Sequence, residues 1–172
     1  MKKLLMIIPL VILLCFTFGC QQGEEVAEEP AVDVEADKTA IERVREKELR
    51  AFDLGDVEGF DNIVTEDIVL DTPNRPAIVG KEAIRAFGEA LFSRLDYEAT
   101  YSVDELVIEK NWAFDRGVWI EKRVPKDGGE QSQLSFGILQ LYKRQSDGSW
   151  KLARLIWNSK GPHPTSQEKE QK

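Results

Sequence analysis

Catalysis needs side chains that move protons, attack carbon or hold a metal, and this chain places few of them where they could act. Its two cysteines, Cys15 and Cys20, both lie in the first twenty residues, and its single histidine, His163, sits in a polar C-terminal stretch with Pro162 and Pro164. A cysteine nucleophile, a Ser-His or Cys-His pair, a histidine base and most zinc sites are thereby excluded from the region between. There is no glycine-rich phosphate loop and no dinucleotide fingerprint, so neither cofactor nor metal is expected. Any reaction must fall to carboxylates, tyrosines or lysines. The most suggestive of these is Glu48, four residues after Val44 and four before Phe52. That spacing sets a carboxyl in the apolar stripe of a helix that also carries Ile41 and Ala51. A charge there must raise its pKa, find a partner or face a wet cavity. An ion pair with an arginine at the edge of the stripe and a role in a pocket are both open readings.

The elements around Glu48 follow from periodicity. A first helix opens the domain at Thr39 and ends near Gly55, a residue suited to a helix C-cap. A short second helix turns Val57, Phe60 and Val64 inward. In the strand Ile68 to Pro73, Ile68, Leu70 and Thr72 share one face, while Val69 and Asp71 take the other. A bulge would exchange Asp71 and Thr72, so both are candidate catalytic groups beside Glu48. After a return through Ile78 and Val79, a third helix runs from Lys81 to about Leu95 with Ile84, Phe87, Leu91 and Leu95 inward. Tyr97 to Ile108 reads as a long strand bent near Asp104.

Three further strands fill Asn111 to Asn158, joined by turns at Lys126-Asp127-Gly128-Gly129 and Ser146-Asp147-Gly148-Ser149. Trp112, Phe114, Val118 and Ile120 alternate with Ala113, Asp115, Gly117 and Trp119, the period of a pleated strand. Leu134 to Tyr142 is apolar at almost every position, as in a strand covered on both sides. Arg116 is either half of a sheet-face charge pair with Asp115 or, sharing parity with Phe114 and Val118, a pocket residue. Helices followed by mostly antiparallel strands predict an α+β domain.

The N-terminus has a different character. Met1-Lys2-Lys3 and the apolar run Leu4 to Phe18 form a secretory signal, too short for a comfortable membrane span. Thr17-Phe18-Gly19-Cys20 resembles the bacterial lipobox, which implies lipidation of Cys20. Gln21 after the cysteine implies the periplasmic side of an outer membrane, in a host that has one. From Gln21 to Lys38 seven acidic residues stand against one lysine, with no aromatic residue, a composition that cannot bury apolar surface. The chain thus divides into a signal peptide over 1–19, an acidic disordered tether over 20–38, a folded domain over 39–158 and a disordered tail over 159–172. The net charge of −8 and the lack of a basic cluster argue against a nucleic-acid partner.

Gly55-Asp56-Val57-Glu58-Gly59, Glu66-Asp67-Ile68-Val69-Leu70-Asp71-Thr72-Pro73, Gly80-Lys81-Glu82-Ala83-Ile84 and the closing Trp150-Lys151-Leu152 to Trp157-Asn158 resemble, in order and spacing, the SnoaL-like, ketosteroid-isomerase-like domains of the nuclear transport factor 2 superfamily. The resemblance implies a conical α+β barrel, also called cystatin-like, with a curved sheet around about three helices, an apolar pocket in the cone and frequent dimerisation through the sheet. It also places the isomerase's catalytic aspartate at Thr72, its oxyanion-binding tyrosine at Glu48 and its second oxyanion acid near Gln140. With these positions substituted, ketosteroid isomerase activity is not expected. The pocket set is then Glu48, Phe52, Thr72, Trp112, Trp119, Gln140 and Trp157, suited to a small apolar or amphipathic molecule. The leading reading is a membrane-tethered, non-catalytic binding domain. A carboxylate-dependent isomerase, cyclase or dehydratase using Glu48, and an assembly module that forms a homodimer, are the alternatives.

Overall fold

Asp33 accepts a hydrogen bond from the Ala36 amide at 3.0 Å and so caps a helix, α1, that runs Val34–Leu54. Gly55 closes it in the left-handed region at φ 63, returning its amide to the Phe52 carbonyl. The computed structural model describes residues 33–159. The signal, Cys20, most of the expected tether and nearly all of the expected tail lie outside that range. Within it, the boundary expected at Thr39 is corrected: α1 begins at Val34, and Asp37, counted with the tether, is buried. Its carboxylate accepts from Trp150 Nε1 at 3.0 Å and pairs with Arg144. Asp37 stands one turn before Ile41, so the inward stripe of α1 extends through it.

Two more helices, α2 (Val57–Ile63) and α3 (Lys81–Phe92), complete the helical part. Val64 belongs to the strand after α2 rather than to the helix, and Leu95 begins a strand rather than ending α3. Six strands follow the order β2-β1-β6-β5-β4-β3, with β1 at Val64–Asp71, β2 at Ile78–Val79, β3 at Leu95–Glu109, β4 at Trp112–Pro125, β5 at Ser132–Arg144 and β6 at Trp150–Ser159. The sheet is mixed and open: β1 pairs parallel to β6, while the other neighbours are antiparallel. Ser159, assigned above to the tail, pairs with Phe136. Asp104 is the bulged residue of β3, between the pairs Val103–Gly117 and Glu105–Arg116, which explains the bend expected there.

One face of the sheet carries the core. Ile41 and Val44 of α1 join Ile68, Leu70, Ile138, Tyr142, Leu152 and Leu155 in a single buried cluster. Along β4 the buried parity is Ala113, Asp115, Gly117, Trp119 and Glu121, while Trp112, Phe114, Arg116, Val118 and Ile120 point the other way. In β5, Leu139 and Leu141 stay half-buried, so that strand is covered fully on one face only.

A candidate binding cavity over a buried carboxyl

The inner face of the sheet carries a polar row. Leu106, Asp115, Gln140, Leu155 and Leu70 are successive register partners across five strands. Glu48 descends on the middle of this row from α1 and is only 2% exposed. Gln140 Nε2 donates to Glu48 Oε2 at 2.6 Å. The Gln140 side-chain carbonyl meets the Tyr142 hydroxyl, which also lies 2.9 Å from Asp115 Oδ2, and Tyr101 donates to Asp115 Oδ1 at 2.7 Å. Arg45, three residues before Glu48 on the same helix, lies 3.4 Å from Asp115, not from Glu48. Gly117 makes this arrangement possible. A Cβ there would stand 2.1 Å from the Ser102 carbonyl and 2.8 Å from the Tyr101 ring, which passes over Gly117 to reach Asp115.

Burial decides the charge of this network. It pushes the Glu48 carboxyl from 4.5 up to about 8, with the neighbouring Asp115 acting in the same direction against the Gln140 hydrogen bond. Asp115 is raised by burial too, and the tyrosine hydroxyls of Tyr101 and Tyr142 are held well above their ordinary range. Burial thus favours the protonated, neutral form of Glu48. With Oε2 accepting from Gln140, Oε1 is the oxygen left to carry the acidic proton.

Glu48 lies at the boundary of a cavity of about 80 Å3. Phe52 forms part of the wall and is met edge-on by Phe60, Phe92, Tyr97 and Trp119, with ring centroids 5.1–5.9 Å apart. Leu70, Ile84, Phe87, Leu91, Phe136, Ile138, Leu155 and Trp157 supply more apolar lining. Two ion pairs interrupt it. Arg85 pairs with Asp61, and Arg123 lies 2.5 Å from Glu121, whose other oxygen accepts from Trp119 Nε1 at 2.9 Å. The Arg123 guanidinium also sits over the rings of Tyr97 and Phe136, 6.0 and 5.9 Å from their centroids.

Of the seven residues expected in a pocket, Glu48, Phe52, Trp119 and Trp157 line this cavity. Gln140 stands behind Glu48 and fixes its proton instead of forming wall. Two are corrected. Trp112 is 41% exposed under Lys143, because it lies seven positions from Trp119 and an odd separation puts them on opposite faces. Thr72 is buried but lies outside the cavity lining, since β1 has ended at Asp71 and strand alternation no longer directs it. Asp71 is exposed, so no bulge exchanges it with Thr72. Arg116 pairs with Asp104 and Glu105 outside the cavity. Sequence reasoning missed Asp61, Tyr97, Glu121 and Arg123. Asp61 was legible as the residue one turn after Val57, and Glu121 as the residue sharing parity with Trp119.

This architecture, a helix-covered mixed sheet over an apolar cavity, is matched by a known family. The SnoaL-like domain profile matches residues 46–151. The chain belongs to the SnoaL-like family. Among solved structures, a conserved protein from Planctomyces limnophilus is 30% identical, covering 73% of this chain and 98% of that one with a TM-score of 0.68. A ketosteroid isomerase-like protein from Erwinia carotovora is 28% identical, covering 72% and 96% with a TM-score of 0.66. A hexachlorocyclohexane dehydrochlorinase of Novosphingobium barchaimii, 17% identical over 76% and 95% with a TM-score of 0.66, shares the fold. No curated protein matches the chain. The SnoaL-like domain here thus has a nuclear transport factor 2-like, cystatin-like fold, with a carboxyl where the isomerase resemblance puts a tyrosine.

Proposed function

We propose that this SnoaL-like domain binds a small, uncharged, largely apolar molecule whose carbonyl accepts a hydrogen bond from Glu48. The observation that carries this reading is a buried carboxyl, hydrogen-bonded to Gln140 through one oxygen and set at the wall of an aromatic cavity, where burial favours its neutral form. Apolar surroundings with one oriented donor are the usual anatomy of a site for an apolar ligand with one polar end. The remaining ionised groups of the wall are paired, Asp61 with Arg85 and Glu121 with Arg123, so an ion entering the cavity would meet no unmatched countercharge.

Benzophenone, an uncharged aromatic ketone, tests the reading by isothermal titration calorimetry with the full chain in detergent. Glu48→Gln keeps a donor in the same place and should bind comparably. Glu48→Leu removes the donor and should weaken binding roughly tenfold, the worth of one good hydrogen bond. Equal affinities for the wild type and Glu48→Leu would defeat the reading.

A second reading rests on the same raised carboxyl, since a group titrating near neutral pH suits general acid–base catalysis. The two readings part at Glu48→Gln, which preserves binding but abolishes proton transfer. Solvent deuterium entering the α-carbon of an apolar ketone, and lost in that variant, would favour the enzyme.

The setting of the domain is proposed from the sequence: export, lipidation at Cys20 and attachment to the cell envelope. Among the described residues no helix is long and apolar enough to cross a membrane. Mass spectrometry of the mature protein should find a diacylglyceryl-type modification on Cys20, and a Cys20→Ala variant should be released from membranes. Pairing of two copies through the outer sheet face, where Val107, Trp112 and Ile156 are exposed, is proposed on the same footing. Sedimentation of the full chain in detergent tests it.

A further inference from the structure

Among the residues lining the cavity, two carry buried side-chain polar atoms that have no hydrogen-bond partner among the described residues: Oδ1 of Asp61 and the hydroxyl of Tyr97. Asp61 is the more informative, because a carboxylate oxygen only accepts whereas a phenol can donate or accept. Asp61 is 4% exposed. It sits on the inward side of α2, one turn after Val57 and beside Phe60, and both of these also line the cavity. Arg85 of α3 pairs with its other oxygen, Oδ2. Leaving a buried carboxylate oxygen unbonded is costly, and the side of Asp61 that lacks a bond belongs to a residue of the cavity wall.

We infer that the ligand carries a hydroxyl group as well as a carbonyl, and that Asp61 Oδ1 accepts a hydrogen bond from that hydroxyl. The inference rests on the binding reading above and names the chemical class more closely: a neutral hydroxyketone with an apolar body. Charge selects a hydroxyl over an ammonium group. Arg85 already balances Asp61 and Arg123 balances Glu121, so a cationic donor would bring an uncompensated charge into apolar walls. The two polar ends of the ligand then meet different helices, the carbonyl at Glu48 on α1 and the hydroxyl at Asp61 on α2. Tyr97, whose hydroxyl burial holds at about 12, stays protonated and leaves the choice of partner to the ligand.

The test compares benzophenone with the para and meta isomers of hydroxymethylbenzophenone and with their methyl ethers, by calorimetry on the full chain in detergent at mildly acidic pH. At least one hydroxymethyl isomer should bind roughly tenfold or more tightly than its methyl ether, which keeps the oxygen but cannot donate. Asp61→Ala should erase that preference, each alcohol then binding no better than its ether. Equal affinity of both alcohols and their ethers for the wild type would overturn the inference with no variant needed. So would a preference that survives Asp61→Ala. The two levels fail separately: benzophenone bound in a Glu48-dependent way with no gain from hydroxyl refutes the Asp61 assignment alone. Failure of every probe to bind refutes the binding reading and the assignment together.

Discussion

Ionising Glu48 should cost the fold much of its stability, and the cost should appear in a pH range where the rest of the domain barely titrates. The folded carboxyl titrates at about 8 against 4.5 for a free one. Between these values the native state holds a proton that the unfolded chain has released, so stability falls as pH rises, with its full value below 4.5 and the loss complete above about 8. Each tenfold change in proton affinity is worth about 1.4 kcal/mol, which puts the total on the order of 5 kcal/mol. No histidine lies among the described residues, and Asp115 is the other carboxyl of the network that burial raises. Glu48→Gln keeps the shape and the contact with Gln140 but has nothing to titrate. Urea unfolding followed by tryptophan fluorescence at intervals from pH 5 to 9 should show the wild type losing several kcal/mol. The variant should lose much less, stay close to the wild type near pH 5 and exceed it at pH 9. Parallel pH profiles for the two proteins would refute the reasoning, because they would mean that Glu48 is ionised throughout or exposed.

Other perturbations follow from the same contacts. Asp37→Ala strips Trp150 Nε1 and Arg144 of their shared acceptor and should cost about 2–4 kcal/mol, read from the denaturation midpoint. Chiefly because Arg144 holds the folded Asp37 carboxyl below 3.8, this contribution is present above that pH and is lost in acid as the pH falls through the folded value. A chain beginning at Thr39 should lose the same contribution. Gly117→Ala should destabilise by about 2 kcal/mol or more, since backbone lies where its Cβ would go and Tyr101 must leave Asp115; a neutral result would contradict the packing of Tyr101 over that residue. No turnover of a Δ5-3-ketosteroid is expected, and measurable turnover lost in Thr72→Ala would reverse that.

Much of this fold was legible because its signals are local. Asp-Gly pairs announced both hairpin turns, Gly55 announced the end of α1, and the heptad-like recurrence of Ile41, Val44 and Ala51 set the inward face on which Glu48 had to lie. What the sequence could not supply was partner choice across distance. An arginine at the edge of the stripe was one open partner for Glu48, and nothing local decided for or against it. The register that aligns Asp115 with Gln140 gives Arg45 to the aspartate and the amide to the glutamate. Local composition also misled: the acids before Thr39 read as tether, yet Asp33 caps α1 and Asp37 is buried beneath Trp150. Alternation along β4 was visible, but which parity faced inward was open, and the expected pocket drew Trp112 and Trp119 from opposite parities. The inner face in fact holds Asp115 and Glu121, each matched by hydrogen bonds from elsewhere in the chain.

The claim on which the account turns is that Glu48 is a neutral acid at physiological pH. It is tested most directly by carbon-13 NMR of the full chain labelled at glutamate side-chain carboxyls, with the Glu48 resonance assigned by its absence in Glu48→Gln. A titration midpoint near 8 is the predicted result, whereas a midpoint in the ordinary glutamate range near 4.5 would contradict it.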